Sequence, residues 1–391
     1  MNRALEPDKG IPASLLRLLA VVAGLSVANL YYNQPLLDAI RTDLAVSEFT
    51  VNLMPAATQT GYALGLLFII PLGDLFKRRR IVLAAFLSLA AALSVLGAAR
   101  SVGMVLAASL VVGVCSVMPQ IFIPIAAQFS RPEQKARNVG IVLSGLLTGI
   151  LLSRVASGLA GEYWGWRSVY FIAAALMLLC AGVMHRRLPD MPANFRGTYG
   201  GLMRSLFGLV RRSGTLRMVS LRSALCFGSF LALWACLAFR LSGAPFFAGP
   251  DVVGMLGLCG AAGAVTATFL GRFVPRFGVR RFNYAGCGVM LSAWLILYLF
   301  QDSYAGLVAG ILLMDIGMQC VQLSNQTRAL SLAPDAANRV NTVFMTTYFL
   351  GGALGTLLAG TFWTHFQWSG VVGVGMALTG CSLLLTAFSR H

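Results

Sequence analysis

Two formal charges lie deep inside stretches that are otherwise apolar, Asp315 and Arg154. A charge at the centre of a membrane-length segment costs on the order of 3 kcal/mol on insertion scales, so each needs a partner or a task. Asp315 stands about 11 residues into its segment, roughly 16 Å deep at ~1.5 Å rise per residue. Gln319, Gln322 and Gln326 follow it at helical spacing with Asn325 alongside, which makes a polar stripe along one face. Such a stripe cannot face lipid, because its donors and acceptors would lack partners. It reads as the wall of a cavity in which Asp315 takes up and releases a proton as its access to water changes. The alternative is a structural acid tied to neighbouring amides or to an arginine. Arg154 stands about six residues from the end of its segment, near 9 Å deep at ~1.5 Å per residue. It either snorkels outward or faces the same cavity. There it would bind an anionic group or pair with Asp315, and protonation of the acid would then free it.

Neutral polar residues extend the candidate set: Asn29, Tyr32 and Asn33, then Gln59 and Tyr62, then Gln120, Trp234 and Tyr348. Each alone suits hydrogen bonding between helices. As a set, amides and aromatics around a mostly apolar cavity suit an uncharged or amphipathic small solute. The eight cysteines all fall in apolar stretches without a Cys-x-x-Cys pair, and the three histidines lie far apart. No metal site, disulfide framework or cofactor is expected.

Long apolar helices must carry these residues. Of the 391 residues, 58% are hydrophobic and 11% charged, too little charge for a water-solvated surface, so the lipid bilayer is the solvent. The net charge of +17 would suggest nucleic acid in a soluble chain. Here the cations sit in short loops, and no nucleic-acid partner is expected. Cutting at turn residues and charges gives spans 14–34, 51–72, 81–99, 103–128, 138–160 and 167–186, then 218–241, 252–274, 282–300, 304–327, 340–363 and 369–388. The first is too long for a signal-peptide core and reads as retained. These twelve helices divide into an N-terminal six-helix bundle (1–186), a cytoplasmic linker (187–217) and a C-terminal six-helix bundle (218–391). With cytoplasmic termini, 25 of the 30 Lys and Arg residues fall on the cytoplasmic side, as the positive-inside rule requires.

The halves repeat. A shift of 202 residues lays Pro132-Glu133 and Arg137 on Pro334-Asp335 and Arg339, Gly149 on Gly351, Gly158 on Gly360 and Trp166 on Trp368. Six helices duplicated in the same sense are related by an axis along the membrane normal, with the binding site near mid-membrane between them. The loop Gly73-Asp74-Leu75-Phe76-Lys77-Arg78-Arg79 resembles the loop between helices 2 and 3 of the major facilitator superfamily, normally Gly-x-Leu-x-Asp-Arg-x-Gly-Arg-Arg. Ile70 stands at the first glycine and Lys77 at the second. The second copy, Gly271-Arg272-Phe273-Val274-Pro275-Arg276-Phe277-Gly278, keeps both glycines and has Pro275 in place of the acid. Tyr31-Tyr32-Asn33-Gln34-Pro35-Leu36-Leu37 and Gly351-Gly352-Ala353-Leu354-Gly355 are similar to marks of the arabinose-efflux and drug:proton-antiporter-like branch. Two antiporter marks differ: Ser109 stands where an arginine precedes Gly113, and Ser153-Arg154 occupies a Gly-Pro position.

The resemblance implies an all-α membrane fold of two pseudosymmetric bundles in a bacterial inner membrane, acting as a monomer. It implies proton-coupled export of a small drug-like or sugar-like solute by rocking of the halves, with uptake or facilitated passage as the alternative. It also implies that Gly73, Asp74, Arg78, Arg79 and Arg339 form a conformational latch, Asp74 meeting the start of the helix near Asn338–Asn341. A carboxylate there gains ~0.3–1 kcal/mol from the helix dipole. An enzyme would need a nucleophile–base pair or metal cluster, a channel would need rings of like residues, and ATP-driven transport would need a Walker sequence. The chain carries none of these signatures.

Overall fold

Residues 8–189, 191, 198–260, 277–333 and 336–388 are described by the computed structural model, apart from the side chain of Asp74. Those residues are helices and short connections, with no strand among them. The first expected span is two helices, α1 (Ala13–Ala28) and α2 (Asn33–Leu44). Asn29 causes the break in part. Its Nδ2 donates to the carbonyls of Leu25 (3.0 Å) and Ser26 (3.1 Å), competing with the backbone ladder. Next comes α3 (Glu48–Phe68), capped by Ser47 Oγ, which accepts from the Thr50 amide at 3.2 Å. The loop that follows holds one short turn, α4 (Leu72–Leu75), before α5 (Arg78–Gly97).

The fourth span is also broken, into α6 (Val102–Cys115) and α7 (Pro119–Phe129). Pro119 cannot continue a helix from behind but opens one well. Ser26 Oγ donates to the Ser116 carbonyl at 3.3 Å, satisfying a group that the break leaves over. Then follow α8 (Lys135–Trp164) and α9 (Trp166–Arg187). Within the stretch read as linker lies α10 (Tyr199–Arg212), capped by Thr198 and burying Leu202 and Leu206. The C-terminal half holds α11 (Gly214–Ser242), α12 (Pro250–Leu256), α13 (Val279–Leu299), α14 (Tyr304–Ser331) and α15 (Ala337–Phe388). Gln367, at φ 50° and ψ −139°, bends α15 sharply, so that helix contains both of the last two expected spans. Most of span 252–274, the loop 271–276 and the pair Pro334-Asp335 lie outside the described residues. Among the described residues, nine stretches are long and apolar enough to cross a membrane.

Glycine seams set how these helices cross. In α8, Gly145 and Gly149 lie on the α1 backbone at Ala20 and Gly24; in α15, Gly351 and Gly355 lie on the α11 backbone at Ala224 and Gly228. The seams are equivalent, but Gly149 corresponds to Gly355 rather than to Gly351. The single shift of 202 is therefore one helical turn out at this point, although it still joins Trp166 to Trp368. Between seam and tryptophan, the second half is four residues shorter. No Cβ fits at the crossings, and van der Waals contact between backbones replaces the side-chain packing.

The two halves touch through α3 with α15, α8 with α12 and α2 with α11. These contacts concentrate on the face opposite the 71–80 loop. Trp363 Nε1 donates to Glu48 Oε2 at 2.6 Å, and Asn52 Nδ2 reaches Cys236 Sγ at 3.7 Å. A Cβ on Gly158 would meet the Pro250 carbonyl at 2.5 Å. That face is sealed.

Two outcomes follow from this packing. Gly355→Ala should lower the unfolding temperature of the detergent-purified protein, costing about 1–3 kcal/mol for overpacking. Gly380→Ala on the same helix, where nothing lies within 4 Å of a Cβ, should not. Equal melting curves would contradict the seam. The Trp363–Glu48 bond to a charged acceptor is worth about 1.5–3 kcal/mol, or roughly a tenfold to hundredfold shift in population if it is lost on opening. In a background where Cys236 is the sole cysteine, Trp363→Phe should speed its labelling by an impermeant maleimide at least tenfold. An unchanged rate would mean that the bond does not hold the seal.

Candidate functional site

On the face of the 71–80 loop the halves stand apart around a cavity of about 880 Å³. Its walls come from α3, α7 and α8 on one side and from α14 and α15 on the other, with Leu202 and Leu206 of α10 at its rim. A smaller chamber of about 150 Å³ lies deeper, at mid-span, and shares Gln120, Leu146, Leu147, Gln319, Gln322 and Met345 with the larger one. The two make one path, open toward the loop face and ending beneath the sealed face.

Arg154 and Asp315 both line the inner chamber. Arg154 does not snorkel. Its side chain is 3% exposed, its Nε donates to Gln34 Oε1 at 2.7 Å, and its guanidinium lies over the rings of Trp234 (4.1 Å) and Tyr31 (5.0 Å). Stacking of this kind suits a planar, weakly hydrated cation. Its Nη2 has no hydrogen-bond partner. Asp315 is 7% exposed, and its Oδ2 likewise has none. The two residues form no ion pair with each other, although they influence each other electrostatically. Gly257 and Gly260, which follow α12, pass directly behind them. A Cβ on Gly257 would meet Arg154 Cβ at 2.9 Å, and one on Gly260 would lie 3.8 Å from Asp315 Oδ1.

Aromatic rings close the chamber. Phe227 stacks on Tyr348 at 3.9 Å, and Tyr62 meets Phe349 at 4.2 Å across the junction of the halves. Tyr348 Oη donates to Gln322 Oε1 at 3.0 Å, and Gln120 Nε2 donates to Tyr62 Oη at 3.5 Å. Of the residues expected at the cavity, Asp315, Arg154, Tyr62, Gln120, Gln319, Gln322 and Tyr348 line it. Trp234 is fully buried behind Arg154 as its stacking partner.

Other expected cavity residues lie elsewhere. Asn29 turns back onto its own helix and reaches Met177 Sδ at 3.6 Å. Asn33 Nδ2 donates to Thr58 Oγ1 at 3.3 Å. Asn325 pairs with Asn283 of α13 at 2.8 Å, tying two helices of the same half. Tyr32 and Gln59 are buried outside the cavity walls, Gln59 with neither amide atom hydrogen-bonded. Spacing alone misses the chamber residues Tyr31, Phe227, Phe230 and Phe349, and Gln34, the partner of Arg154 behind the lining. Gln34 lies beyond the helix break, and the aromatics resemble ordinary core residues until their neighbours are known.

Around the loop, Gly73 and Arg78 line one wall of the large cavity, while Asn338, Arg339 and Asn341 line the other. Arg78 is buried, donating from Nη1 to Gln128 Oε1 at 2.9 Å, and Arg79 donates to the His185 carbonyl. The side chain of Asp74 lies outside the described residues. Of the expected latch residues, Gly73 and Arg78 line the cavity wall opposite Arg339, and Arg79 does not line it.

The family model of the Major Facilitator Superfamily matches residues 19–356. The chain is 36% identical over 380 residues to the uncharacterized transporter YgaY of Escherichia coli O157:H7, covering 97% of this chain and 96% of that one. A probable transporter of Streptomyces coelicolor is 34% identical over 373 residues, covering 95% and 86%. Among solved structures, a bacterial homolog of the human lysosomal transporter Spinster, in an inward-facing and unoccupied conformation, superposes with a TM-score of 0.74 at 15% identity, covering 96% and 94%. Two bundles that part on one face and seal on the other, over a mid-span chamber, carry the same message as these likenesses. The chain belongs to the major facilitator superfamily, as a multi-pass membrane transporter with the all-helical fold of that family.

Proposed function

We propose that this chain exports a small organic solute from a bacterial cell in exchange for protons, by rocking its two halves about the inner chamber. The observation that carries this reading is Asp315, a buried carboxylate with an unpartnered Oδ2, in a chamber that opens to one face only. A proton is the smallest species that can neutralise such a group, and neutralising it removes the cost of isolating the chamber from water. The sealed and open faces supply the two-state element that a proton can bias. The charge bias of the loops supports a cytoplasmic position for the open face and both termini. Export in preference to uptake rests on the resemblance of the Tyr31–Leu37 and Gly351–Gly355 stretches to exporters of the family.

The latch fits the same cycle. Gly73 and Arg78, in the same loop as Asp74 and Arg79, line the cavity wall opposite Arg339 at the start of α15. Closing the cavity would bring the loop to that helix N-terminus, where a carboxylate is favoured by the dipole. In this reading the latch forms in the outward-facing state and is released as the loop face opens. The protein works as a monomer in the inner membrane, with no cofactor.

Proteoliposomes with an imposed pH gradient and a trapped pH dye test the coupling, using a solute found by thermal-shift screening of the purified protein. Wild-type protein should carry a solute-dependent proton flux, and Asp315→Asn should cut it by a factor of about a hundred or more. Undiminished flux in Asp315→Asn would remove this residue from the mechanism. For the latch, Asp74→Asn should slow transport severalfold while the solute still shifts the melting temperature. Loss of that shift would instead place Asp74 in binding.

A further inference from the structure

Among the described residues, the inner chamber holds one positive and one negative group, and each keeps one polar atom without a hydrogen-bond partner, Arg154 Nη2 and Asp315 Oδ2. Both side chains are more than nine-tenths buried. They are not paired with each other, and both line the same chamber, so one guest settling there can engage both. Gly260 leaves the space beside Asp315 unfilled, and Gly257 lets the stem of Arg154 pass. Among the described residues the rest of the lining is a group of rings, chiefly Tyr31, Tyr62, Phe227, Tyr348 and Phe349, with aliphatic side chains and the amides of Gln120, Gln319 and Gln322.

From this arrangement we infer that the solute is a small zwitterion with an aromatic body, its anionic group on Arg154, its ammonium on Asp315 and its ring among the chamber aromatics. The inference rests on the proton-exchange reading of Asp315 and adds the substrate class to it.

Charge balance selects that class. With Arg154 and Asp315 both ionised, the chamber is neutral, and a guest of net charge would add an uncompensated ion in a medium of low polarity. A zwitterion adds none, and it satisfies both orphaned atoms by charge-assisted hydrogen bonds. An uncharged amphiphile would fill the rings but leave both atoms unmet, which is the costly outcome for a buried polar group. Among the described residues, the titratable side chains that interact with Asp315 besides Arg154 are Tyr348 of α15 and Cys259, beside Gly260. Neither is a carboxylate or an amine that could replace the guest.

Exchange then has a simple balance. In the inward-facing state the guest ammonium binds the Asp315 carboxylate, and the proton held there leaves to the cytoplasm. In the outward-facing state a proton binds Asp315 as the guest departs. One neutral guest leaves and one proton enters, so each cycle moves one positive charge inward. Exchange of a singly charged cation for a proton would move none.

The test uses the full-length protein in lipid nanodiscs, with quenching of tryptophan fluorescence as the readout, Trp234 and Trp363 being kept and the other four tryptophans replaced by phenylalanine. Trp234 lies 4.1 Å from the guanidinium and reports on its surroundings. The probes are L-phenylalanine, phenethylamine, 3-phenylpropionate and 3-phenylpropanol, which share a ring and differ only in charged groups. L-phenylalanine should bind at least tenfold more tightly than each of the other three. Arg154→Gln should bring it to the level of phenethylamine, and Asp315→Asn to the level of 3-phenylpropionate. Where Arg154→Gln does not fold, the wild-type ranking and Asp315→Asn decide. Equal or tighter binding of 3-phenylpropanol, or no binding of L-phenylalanine, overturns the zwitterion. Proton exchange itself stands or falls separately, on whether the solute found by screening drives proton flux through Asp315.

Discussion

A guanidinium held in the middle of a membrane protein without a paired carboxylate is the constraint from which the rest follows. Arg154 is kept ionised in a place where a bare charge would be costly. Gln34 takes one of its donors, and the faces of Trp234 and Tyr31 take its plane. The break between α1 and α2 makes this possible, because it brings Tyr31 and Gln34 to the level of α8. Asp315 supplies the opposite charge from the other half without closing a bond. A complete ion pair would have been satisfied and inert. The open arrangement leaves Arg154 Nη2 and Asp315 Oδ2 unpaired among the described residues, as the proposed exchange requires.

Around that pair the packing is divided by purpose. Within each half, glycine seams fix α1 on α8 and α11 on α15, backbone to backbone, so each half can move as a body. Between halves, α3 with α15 and α8 with α12 make broad contact that includes, on the sealed face, the polar Trp363–Glu48 bond and the approach of Gly158 to Pro250. The open face has cations and amides across a wide gap. A seal made of separable hydrogen bonds and small-residue contacts can break and reform, which a jigsaw of large apolar side chains could not do readily.

Much of this was legible in the sequence because it is periodic. The Asp315–Gln319–Gln322 stripe follows helical spacing, and the spans follow from length and apolarity, so the architecture could be read directly. The equivalence of the halves was visible too, but a single shift cannot follow a stretch that is one turn shorter in the second copy. Asn29 and Asn325 show a different limit. An asparagine whose amide bonds a carbonyl four residues back looks, in one dimension, like one that faces a cavity. The aromatic chamber was hidden for a related reason, since Tyr62, Phe227 and Phe349 come from three helices and gain meaning only by meeting. The helix α10 did carry a signal, Thr198 as cap with Leu202, Leu206 and Leu209 on one face, beneath the glycines and arginines that suggested a plain linker.

The most direct measurement is the pair of distances that must change in opposite senses. Spin labels at Arg80 and Ser331 would span the open face, and labels at Tyr163 and Phe247 the sealed one, in protein reconstituted in lipid. On acidification the first distance should shorten while the second lengthens, and Asp315→Asn should hold both near one setting at every pH. Distances that stay fixed, or that lengthen together, would contradict an account in which one proton site governs two alternating faces.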